Sequence, residues 1–153
     1  MCGVLLVVVM IRFISLYKSL RGLDMSAIEQ AVLQQNPEKT AQVALKVFFN
    51  IMDAWHVRAK DQIVLLGRPA ESTFYNWKKG KVSSLSADTL ERISYVLGIY
   101  KALGSLFPTR DQADAWPQKV NQAFNNQTAL EYMLKGSMIN LSDMRRYLDA
   151  QRG

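Results

Sequence analysis

The chain reads as an all-α protein: a helix-turn-helix region followed by a small second helical region. Three observations predict this class. Apolar residues recur at three- and four-residue spacing along most of the 153 residues. Polar caps, prolines and glycines punctuate the chain at helix-length intervals. No stretch shows convincing two-residue alternation, and no internal repeat or low-complexity tract is present.

Residues 4–11 form a continuous apolar run, which Phe13, Ile14 and Leu16 extend past Arg12. A membrane-spanning helix needs roughly 20 apolar residues. A secretory signal needs basic residues ahead of its apolar run and a small-residue cleavage site behind it. The run is shorter than the first requirement and lacks the pattern of the second. Residues 1–24 are therefore read as a hydrophobic extension upstream of a start at Met25. A membrane- or partner-anchoring helix and an export signal stay open as alternatives. Without Arg12, Lys18, Arg21 and Asp24 the formal charge falls from +6 to +4, so the rest is still basic.

Residues 26–35 read as a short helix with Ile28, Val32 and Leu33 inward. Asn36-Pro37-Glu38 starts the next one, with a cap, a proline at the first helical position and an acid in the first turn. It runs to about Val57, with Ala44, Val47, Phe48, Ile51 and Trp55 on one face. Residues 60–80 read as two short helices around a corner at Gly67-Arg68-Pro69, with Ile63, Val64 and Leu66 on the first helix's apolar side. Gly80 ends the second helix. Ser86 caps a long helix whose stripe is Leu90, Ile93, Val96, Leu97, Tyr100 and Leu103, stopped by Pro108. Residues 109–116 form a short helix cut by Pro117. Asn126 is expected to cap residues 127–135, closed by Gly136. Residues 139–151 form the last helix, with Leu141, Met144, Tyr147 and Leu148 on one side. This divides the chain into residues 1–24, a dimerising and helix-turn-helix region at 25–108, and a second helical region at 109–153.

The corner carries the functional signal. A DNA-reading helix must anchor one side in the core and offer short polar or basic side chains on the other. In residues 71–79, Phe74 and Trp77 face inward. Ser72, Thr73, Asn76 and Lys79 then lie outward, with Tyr75 and Lys78 at the margins. Asn suits adenine, Ser and Thr adapt to either base pair, and Lys meets guanine or phosphate. Arg58, Lys60, Arg68, Lys78, Lys79 and Lys81 stand against only Asp61 and Glu71, a local excess of +4 that attracts phosphates. The competing reading is a plain helical hairpin with a solvated basic face. Gly67 to Trp77 also spans one residue more than the usual corner-to-core distance.

Composition excludes much else. One cysteine, Cys2, and one histidine, His56, permit neither an intrachain disulfide nor a Cys/His zinc site. His56 lies in an apolar helical pattern, where a structural or surface role outweighs a catalytic one. There is no phosphate-cradling glycine loop and no clustered carboxylate pair. No enzyme activity, cofactor, metal or membrane association is expected, and the setting is a reducing cytoplasm.

A family resemblance follows from specific residues. Leu66-Gly67, the run Ser72 to Gly80, Leu85 to Ser94, and Leu97 to Leu103 with Leu106-Phe107-Pro108 resemble the helix-turn-helix and linker of Xre/MbcA/ParS-type antitoxins. Ala115-Trp116, Asn121, Phe124, Ala129-Leu130, Met133, Gly136, Arg145 to Ala150 and Arg152-Gly153 resemble the family's toxin-binding domain. The pattern departs at Val120 and Asn126, where the family has Pro and Gly, and at a displaced Pro117.

The resemblance implies a type II antitoxin that neutralises a RES-domain, NAD-degrading toxin and represses its own operon as a homodimer. The operator contacts would come from Arg68, Ser72, Thr73, Tyr75, Asn76, Lys78, Lys79 and Lys81. The toxin contacts would come from Arg145, Arg146, Tyr147, Asp149, Arg152 and Gly153. Physically, the last helix would expose an apolar edge of Met144, Tyr147 and Leu148 flanked by those charges. The competing reading is a core helix with a solvated end. A stand-alone regulator with a C-terminal oligomerisation domain is the alternative function.

Overall fold

The computed structural model describes residues 36–153; the readings made for residues 1–35 lie outside them. Seven helices follow in order: α1 (Pro37–Ala54), α2 (Ala59–Leu65), α3 (Glu71–Lys78), α4 (Ala87–Leu106), α5 (Arg110–Ala115), α6 (Ala129–Met133) and α7 (Met138–Arg152). Between α5 and α6 lie two 3₁₀ turns, Trp116–Gln118 and Gln122–Phe124. Two short strands lie there as well, β1 (Val120–Asn121) and β2 (Gln127–Thr128).

Local chemistry sets the helix starts. Asn36 caps α1 by accepting from the Lys39 N–H at 3.1 Å, and Pro37 has no N–H to satisfy. Ser86 caps α4 through the Thr89 N–H, also at 3.1 Å. α1 stops at Ala54, short of the expected Val57. His56 there takes a left-handed φ of +55° and is solvent-exposed, outside the apolar face the spacing suggested.

α4 is the spine, packed by both α1 and α7. From Ile93 onward it is buried almost all round: Ile93, Val96, Leu97, Ile99, Tyr100, Ala102 and Leu103 are all inside. A helix apolar on every side needs neighbours on every side. α1 supplies Phe48, Ile51, Met52 and Trp55; α7 supplies Leu141, Met144 and Leu148. One hydrophobic core thus runs without a break from α1 to α7. The ring of Trp55 meets that of Tyr100 at 6.2 Å, and the Arg110 guanidinium lies 3.9 Å over the other ring of that contact, Tyr100. Arg110 also donates to the Tyr100 carbonyl at 3.4 Å, which ties α5 to the spine, and it pairs with Asp114 within α5 at 2.7 Å.

Two expectations change between residues 116 and 137. Asn126 does not cap a helix. It and Asn125 take left-handed φ values of +60° and +56°, turning the chain so that Val120 faces Thr128 and Asn121 faces Gln127 in an antiparallel pair. A left-handed residue is what glycine supplies most readily, and asparagine is the next best choice. The cap of α6 is Thr128, in a reciprocal capping box with Glu131 (3.0 and 2.7 Å). The described residues are all-α apart from this strand pair of two residues each.

Candidate nucleic-acid interface and C-terminal surface

α2 ends at Leu65, and the corner runs through residues 66–70 before α3 begins at Glu71. Gly67 and Arg68 are both left-handed, with φ of +91° and +61°. The Arg68 N–H donates to the Ile63 carbonyl at 2.8 Å, closing the end of α2. On α2 the buried residues are Gln62 and Leu65, and Leu66 just past its end is buried too, whereas Ile63 and Val64 are half-buried. The apolar pattern missed Gln62, whose amide donates to the Val57 carbonyl at 2.8 Å.

Phe74 anchors α3. It is fully buried, and its ring meets Phe49 of α1 edge-on at 5.8 Å. Trp77 was expected inward beside it but is only half-buried. It lines a groove of about 460 Å³ with Leu45, Phe49 and Val82. The solvent side of α3 carries Ser72, Tyr75 and Asn76, and Lys79 at its C-cap continues the same face, one, four, five and eight residues past Glu71. Tyr75 is 44% exposed and belongs to this stripe, whereas Thr73 is half-buried at its edge.

The other predicted contacts are spread out. Lys78 is exposed, but its ammonium leans back toward α1, 5.5 Å from the centre of the Phe49 ring and 5.7 Å from Phe74. Lys81 lies exposed just past α3, its N–H donating to the Asn76 carbonyl at 2.9 Å. Arg68 is exposed, yet its guanidinium rests against Gly136, ahead of α7. Nearby, Arg58 pairs with Asp61 at 3.0 Å, while Lys60 is exposed. The stripe thus combines a carboxamide, a hydroxyl, a phenol and an ammonium on one short, well-anchored helix. That is the chemistry of base-edge and phosphate contact.

On α7 the expected apolar edge is corrected. Met144 and Leu148 are core residues, at most 1% exposed, because α4 covers them. Tyr147 is half-buried in an aromatic cluster, stacked on Trp116 (6.4 Å) and edge-on to Phe124 (4.9 Å). Phe124 also meets Tyr132 at 5.3 Å. Arg145 turns inward. Its guanidinium fills the space a side chain at position 98 would need, and its Nε pairs with Asp149 at 2.7 Å. Burial, then the positive charges of Arg145 and Arg152, push the Lys101 ammonium pKa below its ordinary value, with Asp149 opposing. Arg146, Arg152 and Gly153 are exposed, Arg152 reaching Asp149 at 3.6 Å.

Arg146 pairs with Asp143 at 2.5 Å, and the Tyr132 hydroxyl donates to the same carboxylate at 3.0 Å. These two bonds, Arg146 first, hold the Asp143 carboxyl below its ordinary 3.8. A depressed carboxylate pKa contributes stability above the unfolded value and loses it as pH falls through the folded one. Asp143→Asn is therefore expected to lower stability near neutral pH, with the gap to wild type closing as pH drops below 3.8. Urea titrations at several pH values measure this.

Among the described residues no helix is long and apolar enough to cross a membrane, and no cluster of His, Cys, Asp or Glu could hold a metal ion.

Comparison with known proteins bears on these surfaces. Residues 38–98 match the family model described as the antitoxin Xre-like helix-turn-helix domain. The match takes in α1, α2, α3 and the first part of α4. It therefore begins ahead of Leu66, the first residue of the motif resemblance. An uncharacterized protein, y4oB of Sinorhizobium fredii, is 48% identical over 109 residues, covering 71% of this chain and 84% of that protein. No solved structure matches the chain.

Proposed function

Because this chain belongs to the antitoxin Xre-like helix-turn-helix family, we propose that it is an operator-binding antitoxin that represses its own operon and neutralises a RES-domain, NAD-degrading toxin. The observation that carries the DNA half is the exposed Ser72, Tyr75, Asn76 and Lys79 stripe on a helix pinned by Phe74. Arg68, Thr73, Lys78 and Lys81 flank it as backbone contacts. The protein acts as a homodimer in the cytoplasm, so that two such helices meet two half-sites.

The toxin half is assigned to residues 109–153. Arg146, Arg152 and Gly153 are the accessible members of the predicted set. Arg145, Tyr147 and Asp149 shape that surface from beneath. Guanidinium groups beside an aromatic cluster suit a protein interface.

The test is co-expression with the toxin gene beside it. Cells are expected to keep their NAD and keep growing, and the two proteins to co-purify. NAD depletion and arrest that the protein leaves unchanged would remove the toxin half. One observation favours a second reading, a stand-alone regulator: the apolar side of α7 is already covered by α4. That reading predicts operator binding with no co-purifying toxin.

A further inference from the structure

Two turns far apart in sequence are built alike and meet. Gly67 opens the corner ahead of α3, with φ +91°; Gly136 opens the turn ahead of α7, with φ +87°. Each is covered by charged side chains where a Cβ would stand. At Gly67 that position is 3.0 Å from Arg92 Nε and 3.0 Å from Asp88 Oδ2. At Gly136 it is 2.7 Å from Arg68 Nη1 and 2.9 Å from Arg68 Nη2.

Arg92 joins the two sites. Its Nε donates to Asp88 at 2.9 Å beside Gly67, and its Nη1 donates to the Gly136 carbonyl at 3.1 Å. Its side chain is 11% exposed, against 59% for Asp88, so the bond to Gly136 is largely sheltered from water. A sheltered guanidinium-to-carbonyl bond is among the stronger kinds in a folded chain. Arg68, whose own backbone is part of the corner, reaches across to the same glycine. Neither turn can shift by much without losing contacts to the other.

We propose that Arg92 and Arg68 form a clasp that makes the helix-turn-helix corner and the turn before α7 open as a single unit. Arg92 is a positioning residue here and touches no ligand. The regulatory consequence rests on the function proposed above: a protein seated on α7 that strains residues 134–137 also strains the corner that aims α3. Equally, DNA that orders the corner orders the launch of α7, because such coupling is reciprocal.

The test is amide hydrogen exchange on the full chain, without DNA or toxin. Arg92→Lys keeps the charge beside Asp88 but loses the second nitrogen that reaches Gly136. It is expected to speed exchange roughly ten- to a hundredfold at both 66–70 and 134–137, leaving α1 protected. Acceleration at one segment alone, or at neither, overturns the clasp. If Arg92→Lys loosens α1 as well, Arg68→Ala decides. Faster exchange at 134–137 from a substitution in the corner supports the clasp, and unchanged exchange there refutes it. A parallel titration with a duplex from the operon's own promoter separates the two claims. Wild-type protein that fails to bind it overturns the proposed function, while the exchange result still judges the clasp.

Discussion

Phe74→Ala is expected to cost about 3–5 kcal/mol of folding stability and to remove DNA binding with it. Phe74 is the one fully buried residue of α3, an eight-residue helix. A helix this short has little stability of its own and is held by tertiary packing. The main anchor is one ring, edge-on to Phe49 and under the Lys78 ammonium, with Trp77 packing half-buried beside it. Truncation removes its transfer energy, leaves a cavity and frees Trp77 and Lys78. A domain of this size has about 5–15 kcal/mol in total, so the loss is a large share of the whole. Urea unfolding followed by circular dichroism measures it. Phe74→Leu, which keeps most of the volume, should recover much of the difference.

Gly67→Ala is expected to cost about 1–3 kcal/mol, from two sources. A left-handed φ of +91° strains any residue with a Cβ, and that Cβ would press on Arg92 and Asp88 at 3.0 Å. Gly80→Ala separates the two. Its φ of +77° carries the backbone strain alone, because nothing lies within 4 Å of the added atom. The midpoint shift in urea should therefore be larger for Gly67→Ala. Equal shifts would mean that the Arg92 and Asp88 pair yields at no cost.

Two helix starts were legible because their caps are local. Asn36-Pro37 and Ser86 carry their own hydrogen-bond acceptors, and each begins the helix its position predicts. The stripe on α4 was legible for the same reason, since helical period alone dictates it. Asn126 misled because asparagine serves equally as a cap and as a left-handed turn residue. The Thr128 and Glu131 capping box two residues on was the better signal. Strands of two residues leave no period to read.

The candidate site divides in the same way. Ser72, Asn76 and Lys79 follow from the inward position of Phe74 on a regular helix. The exchange of Thr73 for Tyr75 at the edge depends on α3's exact rotation against α1. On α7 the period identified an apolar side but not what covers it. Met144 and Leu148 read equally as an interface edge or as core, and α4 decides between them. Arg145 gave no signal of its own, because the space it fills is opened by Gly98 on another helix. The contacts of Arg68 and Arg92 with Gly136 are likewise set by packing between distant segments, which no local pattern records.

The central claim is that the exposed face of α3 reads DNA, and operator titrations at several salt concentrations test it most directly. Asn76→Ala is expected to lose about 1–3 kcal/mol of discrimination between operator and unrelated duplex. Lys79→Ala is expected to weaken both equally and to flatten the slope of log affinity against log salt by about 1. Unchanged operator affinity and salt slope in both variants would contradict the assignment of this face.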